Sequence, residues 1–254
     1  MSNTSEQTDK GRREFLARGA AAAGLTLAPG VVLYNVAQAR SADEPVSSKV
    51  RWGMLIDTTK CASGCTDCVT ACENENGWGV GSTDEAHSAP TQKAHWIRKV
   101  EVKNTNTGYA FSLPMMCQHC ENPPCADVCP TGASFKRADG IVLVDKHICI
   151  GCRYCMMACP YKARSFVHED LTDQKPYAPR GKGTVESCTM CVHRVDSDRA
   201  PACVEACNAE NHNAMLFGDL NDPNSAIAQA VATYNTTQIR ADLNLNPGVR
   251  YQGI

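Results

Sequence analysis

The sequence predicts an α+β fold in which two related modules, with short helices and small antiparallel sheets, form most of the body. Two observations carry this prediction: the 254 residues include sixteen cysteines, and these fall into four sets of four. Hydrophobic residues make up 43% of the chain and aromatic residues only 6%, so we expect a core that does not depend on large rings. The formal net charge of −2 excludes a strongly basic nucleic-acid-binding protein.

The N-terminal segment has the order of features found in an export signal. Arg12 and Arg13 precede Phe-Leu at 15–16, and together they resemble the twin-arginine motif. A stretch of small residues follows, and an A-x-A cleavage site ends at Ala39. We therefore expect residues 1–39 to be a twin-arginine signal peptide and the mature protein to be periplasmic, exported with its cofactors loaded; an amphipathic helix is the alternative. No other segment is apolar for long enough to span a bilayer, so a peripheral protein is expected.

The cysteine spacings are typical of iron–sulfur proteins. The four sets, in chain order, are Cys61, Cys65, Cys68 and Cys72; Cys117, Cys120, Cys125 and Cys129; Cys149, Cys152, Cys155 and Cys159; and Cys188, Cys191, Cys203 and Cys207. The third set reads C-x2-C-x2-C-x3-C-P, as in bacterial ferredoxins, and the second reads C-x2-C-x4-C-x3-C-P. Three thiolates on a tight loop bind three corners of one cluster, and the fourth binds a different cluster.

This exchange of ligands predicts four [4Fe–4S] clusters in two pseudo-symmetric modules, each like a bacterial ferredoxin. The predicted ligands are Cys61, Cys65, Cys68 and Cys207 for cluster 1; Cys188, Cys191, Cys203 and Cys72 for cluster 2; Cys117, Cys120, Cys125 and Cys159 for cluster 3; and Cys149, Cys152, Cys155 and Cys129 for cluster 4. The first set begins with C-x3-C, one residue longer than usual, which leaves open whether cluster 1 is a complete cubane.

The predicted domain boundaries follow from these ligand sets. Residues 40–220 would form the four-cluster domain, and 221–254 a C-terminal helix and extended tail. Clusters 1 and 2 form the outer pair, with ligands from 50–75 and 185–210, and clusters 3 and 4 form the inner pair within 112–168.

Disulfides and structural zinc are the alternatives for the same cysteines. Disulfides suit a periplasm, but cysteines two residues apart rarely bridge each other without strain. Zinc sites use two separated C-x2-C pairs, whereas the second and third sets end in tight runs followed by Cys-Pro. The spacing therefore favours iron, and metal content separates the three alternatives.

Short elements are predicted between the cysteine sets. Apolar or alternating runs predict strands at 52–56, 95–102, 141–144, 163–167 and 215–217. Helices are predicted at 68–74 and from Asp222 to about residue 234. Turn residues predict a surface loop at 77–94, a turn at 104–108, a hairpin at Asp139-Gly140 and a linker at 174–183. The polar tail, 236–254, is expected to wrap back over the body or reach a partner.

Nothing in the sequence indicates bond-making or bond-breaking chemistry. It has no dinucleotide fingerprint, P-loop or H-E-x-x-H motif, and every cysteine is assigned to a cluster, so we predict no catalytic residue. Several cations close to the sets are expected either to raise cluster potentials or to be ordinary surface charges: Arg153 first, then Lys146, Lys162, Arg164 and Arg194. Packing without ligation is expected of the nearby rings: Trp78, Trp96, Tyr154, His119 and His147.

The stretch 116–166, which carries both Cys-Pro runs, resembles the four-cluster iron–sulfur subunits of membrane-linked oxidoreductases, such as those of polysulfide and dimethyl sulfoxide reductase. The resemblance continues through PACVEAC at 201–207 and FGDL at 217–220, and it covers most of residues 50–225. Within this family, the chain looks most like the DsrO type of subunit of the DsrMKJOP complex. Three features carry this resemblance: its own twin-arginine signal, the lack of a C-terminal transmembrane helix, and the CTDC of the first set.

The resemblance implies a periplasmic electron-transfer subunit of a complex in dissimilatory sulfur metabolism. Its implied partners are a polytopic, quinone-interacting membrane subunit of the NrfD/DsrP kind and a multihaem cytochrome c subunit. The alternative is the electron-transfer subunit of a molybdopterin reductase (polysulfide or dimethyl sulfoxide type) or of a hydrogenase, which the copurifying catalytic subunit distinguishes. A zinc scaffold without redox function is the third hypothesis, distinguished by colour and metal content.

Overall fold

The structure, a computed structural model, describes residues 44–79, 89, 92–172, 174–210 and 212–254, which fall in one structural unit, Gln38–Ile254. The predicted signal peptide and most of the predicted loop at 77–94 lie outside the described residues. The described strands are β1 Trp52–Asp57, β2 Ile97–Lys103, β3 Ala110–Met116, β4 Ser134–Lys136, β5 Val142–Val144, β6 Ser165–Phe166, β7 Val185–Glu186, β8 Met215–Asp219, β9 Thr236–Thr237 and β10 Val249–Gln252. The described α-helices are α1 Asp67–Asn76, α2 Pro124–Asp127, α3 Tyr154–Ala158, α4 Val192–Val195, α5 Ala202–Ala209 and α6 Ala226–Thr233, and a 3₁₀ helix spans Ala241–Leu243.

The largest sheet has the strand order β8-β1-β10-β9. Strand β1 (WGMLID) is apolar along most of its length, and all but its first residue are buried, as expected of a strand covered on both faces. It pairs antiparallel with β8, with Met54 opposite Phe217, and parallel with β10, with Met54 opposite Val249. This sheet leads directly into the first cysteine set.

Three two-stranded sheets complete the strands of the described residues: β2–β3, β4–β5 and β6–β7, all antiparallel. The β2–β3 hairpin turns at residues 104–108, where the Asn104 side chain accepts hydrogen bonds from the backbone N–H groups of Asn106 and Thr107. The β4–β5 hairpin turns at Gly140, whose φ of +88° suits glycine. The predicted turns at both places are present.

The cysteine sets follow loops and continue into short helices. The first set continues into α1, the second into α2, and the third into α3, whereas the fourth set brackets α4 and ends within α5. Ten of the sixteen cysteine residues belong to the main buried core cluster, so sulfur supplies much of the packing that rings supply elsewhere. Folding is therefore tied to what the sulfurs bind.

The α+β fold class with small antiparallel sheets is confirmed. Strands β1, β2, β5, β6 and β8 and helices α1 and α6 lie where the sequence predicts them, within a few residues. Helix α6 begins at Ala226 rather than Asp222 because 222–225 form a turn, and the Ser225 hydroxyl caps the helix by accepting from the Ala228 N–H. The tail does wrap back, but as strands β9 and β10 of the main sheet. Within the described ranges, none of the helices has the length and apolar character to cross a bilayer.

Candidate iron–sulfur centres

The structure brings the sixteen cysteines together in four groups of four. Each group joins three cysteines of one set with the last cysteine of another, and all sixteen are free thiols. The groups correspond to the four predicted ligand sets and keep their numbers below, as groups 1 to 4. Disulfide bonds, one alternative for these cysteines, are not formed.

Groups 1 and 2 combine the first and fourth sets. Group 1 (Cys61, Cys65, Cys68 and Cys207) lines one small cavity. In group 2, the thiol of Cys72 is buried among those of Cys188, Cys203 and Cys191. Burial, and then the proximity of these three, hold the pKa of Cys72 well above its usual value. The inserted loop between Cys191 and Cys203 includes α4.

Groups 3 and 4 combine the second and third sets. In group 3, burial raises the pKa of Cys120 to about 12, and the neighbouring thiols of Cys117, Cys125 and Cys159 act in the same direction. Group 4 (Cys129, Cys149, Cys152 and Cys155) lines a small cavity. Its Cys152 residue is exposed, so group 4 reaches the protein surface.

Thiols of neighbouring groups are close enough to act on each other's pKa. After burial, Cys68 of group 1 helps to raise the pKa of Cys203 of group 2, and Cys117 of group 3 helps to raise that of Cys188 of group 2. Cys125 of group 3 likewise helps to raise the pKa of Cys155 of group 4. The four groups therefore form a row, from 1 through 2 and 3 to 4.

The donor groups around the sulfurs fit thiolate-bound clusters rather than free thiols. Trp78 Nε1 lies 3.3 Å from Cys72 Sγ, and Asn76 Nδ2 lies 3.5 Å from the same sulfur. Backbone N–H groups of Ser134 and Ala214 point at Cys129 and Cys207, each at 3.4 Å. Hydrogen bonds from such donors stabilise negative charge on sulfur, which is the form that binds iron.

Arg164 gives the clearest indication that groups 3 and 4 hold an anionic centre. Its guanidinium is buried, and Nη2 lies 3.0 Å from Cys125 Sγ. Nη1 has no hydrogen-bond partner, and the charge acts on the sulfurs of Cys117, Cys155 and Cys159 as well. A buried cation needs a negative partner, and here the available partners are cysteine sulfurs. The residues present therefore fit iron–sulfur clusters.

The other predicted cations occupy different environments. Arg153 is exposed and stacks 4.1 Å from the centre of the Phe166 ring. Lys146 is enclosed, and burial lowers its pKa to about 8. Arg194 pairs with Glu75 and Glu205, and Lys162 is exposed. Of the five cations, Arg164 is the one with a hydrogen bond to a cysteine sulfur in the described residues.

The aromatic and histidine rings for which packing was predicted also lie in different environments. Trp96 is buried and Tyr154 is exposed, whereas Trp78 donates to Cys72 and so contacts a group directly. His119 is buried with its Nδ1 accepting from the Val142 N–H, and burial lowers its pKa to about 3. The backbone therefore occupies Nδ1 of His119, and the absence of ligation by this residue stays a prediction.

Lys99 is a functional candidate that the sequence analysis missed. Its Nζ donates to the carbonyl oxygens of Ala62 and Cys65, at 2.8 and 2.7 Å, and so bridges the irregular C-x3-C loop. Gly64 within the loop has a φ of +76°, which accommodates the extra residue. Lys99 lies on β2, and no local motif connects it with a loop 34 to 37 residues earlier.

Replacing Lys99 by methionine is expected to lower the stability of the first loop by about 1–2 kcal/mol, because two partly exposed carbonyls lose a charged donor. It should also shift the reduction potential of cluster 1 to more negative values, because a cation next to the sulfurs is lost. Redox titration followed by EPR and the thermal midpoint of cluster loss would measure both effects. Lys103→Met, on the same strand, is the control; equal effects from the two variants would contradict the role given to Lys99.

Comparison with known proteins shows the family of this chain. Two family profiles described as 4Fe-4S dicluster domains match residues 60–133 and 109–220, a span that contains all sixteen cysteines. The Hdr-like menaquinol oxidoreductase iron-sulfur subunit 1 of Archaeoglobus fulgidus is 40% identical over 268 residues, covering 94% of this chain and 97% of that protein.

Two further relatives carry names of reductase subunits. A tetrathionate reductase subunit of Salmonella typhimurium is 35% identical over 261 residues, covering 99% of this chain and 91% of that protein. A putative dimethyl sulfoxide reductase iron-sulfur subunit of Halobacterium salinarum is 37% identical over 212 residues, covering 79% of this chain and 78% of that protein. This chain belongs to the 4Fe–4S dicluster family of oxidoreductase iron–sulfur subunits.

Proposed function

We propose that this protein relays electrons through four [4Fe–4S] clusters, as the periplasmic iron–sulfur subunit of a Dsr-type transmembrane complex in dissimilatory sulfur metabolism. The observation that carries the proposal is the row of four cysteine groups, each with the composition that ligand exchange between ferredoxin-like sets requires. Groups 1 to 4 would hold clusters 1 to 4, all with four cysteine ligands. A [4Fe–4S] cluster supplies reversible one-electron transfer when bound.

In this function, the polypeptide would set the distances between the clusters, keep water away from them and place charges beside them. Burial of the sulfurs of groups 2 and 3 excludes water from the middle of the row. Arg164 places one positive charge between groups 3 and 4, where it favours the reduced, more negative state of both clusters. Lys99 does the same at group 1, close to Cys61.

The group 4 end of the row has the features of a surface that binds a partner. Around exposed Cys152, three large apolar side chains are exposed: Ile150, Tyr154 and Met157, at 67%, 57% and 76%. Exposed large apolar side chains close in sequence to a cluster ligand are typical of an interaction site. We place the quinone-interacting membrane subunit of the NrfD/DsrP kind at this end, and the multihaem cytochrome c subunit or another redox partner elsewhere on the surface.

A second candidate function rests on the names of two relatives. The tetrathionate reductase and dimethyl sulfoxide reductase subunits match this chain over most of its length. The same row of clusters would then serve a molybdopterin catalytic subunit, or the catalytic subunit of a hydrogenase. Affinity purification from the native membrane separates the alternatives, because a Dsr-type complex would bring a polytopic subunit and a haem protein, and a reductase would bring a molybdopterin subunit.

The first test is the content of iron, acid-labile sulfide and zinc in mature protein purified without oxygen. Four clusters need about 16 (4 × 4) iron atoms per chain and no zinc. A value near twelve would point to loss of the cluster at the irregular first loop. Zinc without iron would refute electron transfer and leave a structural scaffold. Sequencing the N-terminus of the exported protein would test cleavage after Ala39.

The ligand assignment within groups 3 and 4 predicts an unusual pattern of damage. Cys155→Ser and Cys129→Ser are expected to destroy the same cluster, although these cysteines come from different sets, and Cys159→Ser is expected to destroy the other inner cluster. Each variant should lose up to about four irons per chain and one EPR component. If Cys129→Ser instead removes the component lost in Cys120→Ser, or if Cys155→Ser leaves iron content and folding unchanged, the assignment is wrong.

A further inference from the structure

The unusual feature of group 1 is a carboxylate beside one of its thiols. The Cys65 thiol donates to Oδ2 of Asp67, with Sγ and Oδ2 3.1 Å apart. The same oxygen lies 3.2 Å from Nε2 of His212. One potential ligand atom from each of the three residues falls within 4.8 Å of the others, and the described residues contain no other such group of three or more His, Cys, Asp and Glu side chains.

The position of Asp67 indicates that its side chain serves the cysteine loop and not the helix. Asp67 is the first residue of α1, but the helix start has no side-chain cap. Its carboxylate, 40% exposed, is directed to Cys65 and His212, and all three residues line the same cavity as Cys61, Cys68 and Cys207. Solvent therefore reaches this side of group 1, whereas Cys68 is buried.

We propose that Asp67 is an alternative protein ligand for the iron that Cys65 binds, so that this corner of cluster 1 is held by either a thiolate or a carboxylate. The proposal rests on the proposed function, since it needs a cluster in group 1. In the exchange, one iron–sulfur bond breaks and one iron–oxygen bond forms. No electron is transferred, and the released thiolate takes a proton from water, which leaves hydroxide in the solvent. His212 is a positioning residue that fixes the carboxylate oxygen.

This arrangement relates the extra residue of the C-x3-C step to the position of Cys65 beside Asp67. The longer loop is bridged by Lys99 at the carbonyls of Ala62 and Cys65, and Cys65 within it is partly exposed. Asp67 lies two residues further on, at hydrogen-bonding distance. Carboxylates bind iron, as thiolates do, and a change from sulfur to oxygen alters the electronic properties of that one iron.

The test compares two alanine variants purified without oxygen. Cys65→Ala is expected to retain about 16 irons per chain, because Asp67 takes over the corner. Cys61→Ala is the matched control: it removes another partly exposed thiol of group 1, and the nearby Glu101 is engaged by the Ser112 hydroxyl. The control is expected to lose at least one iron and show the EPR signal of an oxidised [3Fe–4S] cluster. The double variant Cys65→Ala/Asp67→Asn should match the control.

Two outcomes would overturn the proposal: equal iron loss in Cys65→Ala and Cys61→Ala, or no further loss on adding Asp67→Asn. Asp67→Asn with all cysteines present covers the case in which the alanine variants fail to fold. Under limited oxidation it should form the [3Fe–4S] signal several-fold faster than the native protein, and an unchanged rate would contradict the proposal. Native protein without iron would instead refute the proposed function, so the two failures are distinguishable.

Discussion

Replacing Glu186 by glutamine is expected to lower the free energy of unfolding by about 3–5 kcal/mol, because a buried guanidinium loses the carboxylate that it pairs with through two hydrogen bonds. The Arg180 and Glu186 side chains are 1% and 0% exposed and form a two-pronged ion pair, with N–O distances of 2.9 and 2.8 Å. Arg180 also donates to the carbonyl of Gly77 at 2.6 Å, at the end of α1. The pair therefore joins the 174–183 segment and β7 to the helix of the first cysteine set.

The effect can be measured as the guanidinium midpoint for loss of cluster absorbance and of far-ultraviolet circular dichroism. The matched control is Asp170→Asn, which breaks an ion pair between Asp170 and Lys182, both exposed, with a similar separation of 3.0 Å. An exposed pair contributes little, so this control should unfold almost like the native protein. Equal midpoints for the two variants would show that the buried ion pair contributes no more to stability than the exposed one.

Replacing Arg164 by methionine is expected to shift the reduction potentials of clusters 3 and 4 to more negative values by on the order of 100 mV, because a buried unit charge beside their sulfurs is lost. The guanidinium contacts Cys125 and acts on Cys155, so a single residue influences both clusters. The two inner clusters should also become more labile, since their negative charge loses its buried partner.

Potentiometric titration followed by EPR would measure this shift at unchanged iron content. Arg153→Met removes a cation from the loop of cluster 4 that is exposed and stacked on Phe166, and solvent screening should make its effect several-fold smaller. Arg164→Lys, which keeps the charge and loses the planar fork, should recover part of the shift. Equal shifts in Arg164→Met and Arg153→Met would refute the specific role of the buried guanidinium.

The ligand sets could be proposed from the sequence because the cysteine spacings are local information. Spacings such as C-x2-C-x2-C-x3-C specify a tight loop and one helical turn, whatever the rest of the chain does. The exchange of Cys129 and Cys159 between sets followed from the same rule, and the structure brings these residues to the expected neighbours.

Features that depend on contacts distant in sequence were not predictable. Lys99 is an ordinary residue in a strand until the fold brings it to the first loop. Prolines and glycines at 174–183 correctly indicated an irregular segment, but not that Arg180 would be buried. The sequence of β10, VRYQ, has too few residues for a reliable pattern, and its partner β1 lies almost two hundred residues earlier.

The place of β10 in the main sheet has a consequence for biosynthesis. Strand β1 has β8 on one side and β10 on the other, and the Thr58 hydroxyl at its end donates to the carbonyl of Gln252, 194 residues later. Until β10 has left the ribosome, β1 has an open edge next to the cysteine loop that follows it. The first cysteine loop therefore reaches its final shape only after β10 has been made and has paired with β1. Cofactor insertion there competes with edge-to-edge aggregation of the released chain.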